Sequence, residues 1–132
     1  MRILTDTNIL ISALFYPDSR PAQALIHIAK NHTLVLTDYN LAEFRRIAET
    51  KFHATSPVIE VFLTELAYEF IIAPDLPQRL IADAKDAPIL NAAIASDVDI
   101  IISGDRHFFE IDIERPKVLT VAKYLESCGV GL

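Results

Sequence analysis

The chain has 132 residues, enough for one domain and short for two, and its 52% apolar content excludes disorder over most of its length. A net charge of −6, from 18 acids against 12 Lys and Arg, argues against a protein that grips nucleic acid through a basic surface, though not against one that holds it through a metal ion at clustered acids. The single cysteine, Cys128, leaves no internal disulfide, the apolar runs are too short to span a bilayer, and no signal-peptide pattern opens the chain, so a soluble cytoplasmic protein is expected.

Ile3-Leu4-Thr5 reads as a short buried strand, followed by a helix over Asn8 to Leu14 that the turn residues Tyr16-Pro17-Asp18-Ser19 end. Pro21 to Lys30 is a helix with Pro in its first turn. His32 to Thr37 is a second strand. Asp38 is the expected cap of a helix that runs to about Phe52 and buries Leu41, Phe44, Ile47 and Ala48. Ser56-Pro57 opens another, with Ser as cap and a stripe of Val58, Val61, Phe62 and Leu66. Phe70-Ile71-Ile72 is a third strand, broken by Pro74 and Pro77. A short helix over Gln78 to Ala84 and a helix over Asp86 to Ser96, apolar on nearly every side, precede a fourth strand at Val98 to Ile102. A fifth strand at Val118 to Thr120 leads into a closing helix from Val121 to about Ser127. Strands alternating with helices predict one domain with an α/β fold and parallel neighbours, and sites in such sheets form at the carboxyl ends of central strands.

Asp6 falls at the carboxyl end of the first strand and Asp105 at that of the fourth, while Asp86 opens the apolar helix and Glu43 flanks a buried stripe. Singly, each has a plain structural reading: Asp6, Asn8 or Asp86 as a helix cap, Asp105 as a turn residue after Gly104, and Glu43 as a solvated acid beside Arg45 and Arg46. Together they point elsewhere. Two unit charges ~5 Å apart repel by roughly 3 kcal/mol at an effective dielectric near 20, so four converging acids call for a cation. An all-oxygen set suits Mg²⁺ or Mn²⁺, which polarises a phosphodiester and acidifies a bound water. The convergence itself does not follow from the residues alone.

The ordered set of DTN after the first strand, the Glu of LAEFRRI, DAPILNAAIAS and IIISGDRHF resembles the PIN-domain nucleases, and most nearly the VapC-like toxins of toxin–antitoxin pairs. The likeness runs from Arg2 to about Thr120. It implies an α/β/α sandwich with a five-stranded parallel sheet in order 3-2-1-4-5, which makes the first and fourth strands neighbours. It further implies cleavage of single-stranded RNA with Mg²⁺ or Mn²⁺, a homodimer and a separate antitoxin partner. By matching position the metal ligands and catalytic acids are Asp6, Glu43, Asp86 and Asp105; Asn8 orients the first carboxylate and Ser103 supports the site. Where many relatives carry a further Asp, this chain has His107, which weakens a second metal there. Arg45, Arg46, Arg106 and His107 are candidate RNA contacts, with surface charge an equal reading for the arginines and a solvated loop residue the preferred one for His107; Tyr39, Phe108 and Phe109 are candidate stacking residues, with core packing the preferred reading, above all for Phe108.

Two other classes compete. A PIN-like binding module without nuclease activity has no use for four mutually repelling acids. A receiver-type signalling domain needs an acidic pair after its first strand and a lysine after a later one, where this chain has Asp6-Thr7-Asn8 and Ser103-Gly104-Asp105.

Overall fold

Neighbouring side chains of the first strand enter two different cores. In the computed structural model, which describes residues 1–74, 87–110 and 113–129, β1 (Arg2–Thr5) sends Ile3 into one apolar cluster and Leu4 into another. Such alternation is what a strand covered on both faces requires. The chain continues through α1 (Thr7–Phe15), α2 (Arg20–Asn31), β2 (Thr33–Thr37), α3 (Asp38–Thr50), α4 (Ser56–Glu65) and β3 (Glu69–Ile71). After these come α5 (Ala87–Ala95), β4 (Ile100–Ile102), α6 (Arg106–Phe109), β5 (Lys117–Leu119) and α7 (Val121–Ser127). The predicted helix at Gln78 to Ala84 lies outside the described residues, as does Asp86.

The strands form one sheet in order β3-β2-β1-β4-β5, all neighbours parallel, as the resemblance implied. Thr5 pairs with Ile102, so the carboxyl ends of β1 and β4 finish side by side. On one face Ile3, Leu34, Leu36, Ile100 and Ile102 join a cluster that takes in Leu10, Leu25, Phe44, Ile59 and Leu125 from five helices. A smaller cluster joins Leu4, Val35 and Ile101 to Ile89, Leu90 and Ala93 of α5 and to Phe108 of α6. The result is a three-layer α/β/α arrangement. Each fully buried Leu, Ile or Phe contributes about 1.5–3 kcal/mol. Among the described residues, no helix is long and apolar enough to cross a membrane.

Several local expectations are corrected. The cap of α3 is Thr37, not Asp38: Thr37 Oγ1 accepts from Asn40 N–H, and Asn40 Oδ1 accepts in return from Thr37 N–H, a capping box with Asn in the usual Glu or Gln place. Asp38, in the first turn, accepts instead from the Ala73 N–H at 2.9 Å. The cap position of α4 is Thr55 rather than Ser56, and no side chain caps that end. Its buried face is Ile59 and Leu63, whereas Val58 and Val61 of the expected stripe are exposed. The short helix α6 was not foreseen, because a single turn carries too few residues to display a period.

Candidate active site

Asp6 is the single residue between β1 and α1, so a rigid strand sets its position while a helix N-terminus claims its side chain. Its carboxylate accepts from the Ile9 N–H at 3.1 Å, as an N-cap should. The other oxygen accepts from Ser103 Oγ at 2.8 Å and from the Gly104 N–H at 3.3 Å, both just past the end of β4. Ser103 is fully buried and also accepts from the Asp105 N–H at 3.0 Å, which fixes the turn that carries the second acid. Asp6 is 8% exposed. Burial pushes its carboxyl above the ordinary aspartate value; the hydrogen bonds from Ser103, Ile9 and Gly104 pull the other way, and the charge of Asp105 adds to the rise. Asp6, Asn8, Gly104 and Asp105 line a common cavity of about 360 Å³.

The expected residues therefore meet in part. Asp6, Asp105, Asn8 and Ser103 gather at one end of the sheet. Asn8 lines the cavity, but among the described residues no hydrogen bond links it to Asp6; the carboxylate is oriented by Ile9, Ser103 and Gly104 instead. Glu43 is half-buried and lines a different cavity, of about 400 Å³, with Tyr39 and Arg46. Among the described residues, no three His, Cys, Asp or Glu side chains are grouped closely enough to hold an ion together. Asp86, the fourth expected ligand, lies outside them. Of the candidate RNA contacts, Arg45 is engaged in a two-pronged ion pair with Glu60, at 3.1 and 3.3 Å. Arg46 is exposed. The backbones of Arg106 and His107 belong to α6, and their side chains lie outside the described set. Phe108 is buried in the smaller core and Phe109 is exposed.

One residue that the motifs did not reveal proves central. Asn40 is fully buried, and its amide NH₂ donates to Thr5 O at 3.3 Å and to Thr7 Oγ1 at 3.4 Å, the residues on either side of Asp6. Its carbonyl oxygen accepts from Thr37 N–H and Oγ1 at 3.0 and 2.9 Å. Asn40 thus ties the start of α3 to the junction of β1 and α1. The signal was present as Thr37-Asp38-Tyr39-Asn40, a capping-box spacing, but its long-range partners are not encoded locally.

The fold agrees with what the chain is similar to. The family model for the PIN domain matches residues 2–107. No curated protein matches the chain in sequence. Among solved structures, a chain in the crystal structure of VapBC2 from Rickettsia felis bound to a DNA fragment from its promoter is similar in fold. The TM-score is 0.69 at 21% identity, covering 91% of this chain and 98% of that one. With the match running from the first strand past Asp105, this chain belongs to the PIN-domain family.

Proposed function

We propose that the protein is a divalent-metal-dependent endoribonuclease that cleaves single-stranded RNA, acting in the cytoplasm as the toxin of a toxin–antitoxin pair. The observation that carries this reading is the pairing of Asp6 with Asp105 at the adjoining ends of β1 and β4. Burial and mutual repulsion raise the Asp6 carboxyl there, beside an open cavity. A buried carboxylate repelled by a second, part-exposed one is donor chemistry that Mg²⁺ or Mn²⁺ takes, so Asp6 and Asp105 fit such an ion. Asp6, Asp105, Asp86 and Glu43 would hold it, and the bound ion would supply Lewis-acid polarisation of the phosphodiester and an acidified water. Ser103 Oγ and the Gly104 N–H aim the Asp6 carboxylate and oppose the rise that burial causes. Glu43, on a second cavity, would hold the ion or orient the attacking water. The VapBC2 neighbour supports an antitoxin as partner, and a homodimer is the expected assembly.

A second reading, a PIN-fold binding module with little nuclease activity, draws on the separation of Glu43 into a different cavity from Asp6 and Asp105. Incubation of labelled single-stranded RNA with the wild type and Asp6→Asn, in Mn²⁺ and in EDTA, decides between them. Metal-dependent cutting by the wild type that Asp6→Asn abolishes supports the nuclease. RNA left intact in Mn²⁺ overturns it in favour of the binding module.

A further inference from the structure

We infer that Tyr39 and Arg46 form a nucleotide subsite beside Glu43, where a base near the scissile phosphate stacks on Tyr39 and a backbone phosphate meets Arg46. The inference deepens the nuclease reading and rests on it. Tyr39, Glu43 and Arg46 are spaced four and three residues apart on α3, so they share one helix face, and they line one cavity of about 400 Å³. Tyr39 is 49% exposed, while Phe44 on the same helix is wholly buried. Among the described residues, Tyr39 makes no ring contact, although Phe15, Phe44, Phe52, Phe62 and Tyr124 all do. Its ring is a flat, unpacked surface rather than part of the core.

Arg46 carries the matching charge. Its neighbour Arg45 is neutralised by Glu60, but among the described residues the Arg46 guanidinium has no ion pair, even with Glu43 one turn before it. In a chain of net charge −6, an unpaired arginine near carboxylates is suited to a substrate that is itself an anion. Position adds to the argument. Asn40, adjacent to Tyr39 in sequence, bonds to the residues on both sides of Asp6, so the start of α3, which carries Tyr39, is tied to the β1–α1 junction that carries the buried carboxylate. Aromatic stacking tolerates any base, so this subsite would position RNA without selecting sequence.

The test uses a short labelled single-stranded RNA of mixed sequence, with cleavage followed in Mn²⁺ and binding followed by anisotropy in Ca²⁺. Tyr39→Ala should raise both KM and Kd roughly tenfold, with kcat within about twofold, and Tyr39→Phe should behave as the wild type. An abasic substitution at one position should weaken wild-type binding by the same factor and add nothing to Tyr39→Ala. Arg46→Ala should weaken binding and lower the salt slope by ~0.7, and Arg46→Lys should recover part of both. Both side chains are exposed, so unchanged unfolding curves certify the variants. If the wild type cleaves and Tyr39→Ala changes neither KM nor Kd, the subsite is overturned and the nuclease stands. Binding that depends on Tyr39 without any cleavage overturns the nuclease and keeps the subsite. RNA neither bound nor cut overturns both.

Discussion

Truncating Asn40 to alanine tests whether this buried amide holds the site together. Asn40 Oδ1 is the acceptor for the Thr37 N–H, and Thr37 is itself fully buried. Removing the amide strands that N–H at about 1–3 kcal/mol. The Thr37 hydroxyl loses its acceptor as well, and the longer bonds to Thr5 O and Thr7 Oγ1 add about 0.5 kcal/mol each. The sum is about 3 kcal/mol. At ~2.1 cal/mol/K per residue, 132 residues unfold with an entropy of about 0.28 kcal/mol/K, so Tm should fall by about 11 °C. Urea unfolding should report the same loss as a shift in midpoint at unchanged slope. Cleavage of RNA, assayed below the lowered Tm, should also drop, because Thr5 and Thr7 flank Asp6. A loss under about 1 kcal/mol with full activity would refute the reasoning, since it would mean that water replaces the amide and Asn40 positions nothing.

Four further outcomes follow from the geometry. Because burial and Asp105 raise the Asp6 carboxyl, the folded protein holds that proton more tightly than the unfolded chain. This group's stabilisation is therefore present below the ordinary aspartate value and lost as pH rises through the folded one. Metal-free Asp6→Asn should melt above the wild type at neutral pH, with the gap closing on acidification. Mn²⁺ at ~100 times its dissociation constant should stabilise the wild type by about 2.7 kcal/mol, or about 10 °C, and the variant far less; equal shifts in scanning calorimetry would sink the metal assignment. Tyr124→Phe removes the 2.7 Å bond between a buried phenol and His27 Nδ1 that joins α7 to α2, and should lower Tm by about 4–7 °C in a thermal melt. Glu69→Gln breaks a partly exposed two-pronged pair with Arg2 and should cost under about 1 kcal/mol by urea titration, with a larger loss marking the pair as structural.

The local pattern of the chain determined its elements. Ile3-Leu4, Leu34-Val35-Leu36 and Ile100-Ile101-Ile102 are apolar on both faces, and only a strand sandwiched between helices buries such runs. Pro21 and Pro57 near helix starts, and the 3.6-residue recurrence of Leu41, Phe44, Ile47 and Ala48, act over a few residues and are legible there. The errors arose where a local rule met a tertiary choice. Thr37 and Asp38 are both competent caps, and the selection went to the residue whose partner, Asn40, also reaches β1. Val58 and Val61 fit an apolar stripe as well as Ile59 and Leu63 do, and the packing of α4 on its neighbours settled which pair is buried.

The site divides the same way. Asp6 and Asp105 are visible as acids interrupting apolar strands, but 99 residues apart they become a pair only because β1 and β4 adjoin in register. Ser103 and Gly104 become donors to Asp6 through that same adjacency. Arg45 and Arg46 are indistinguishable in sequence; α4 brings Glu60 to one and leaves the other exposed beside Tyr39. Which acids and cations stand at the rim was written in the chain. Which of them face one another depended on long-range packing, because electrostatic coupling acts through space and the chain's own order carries no distance.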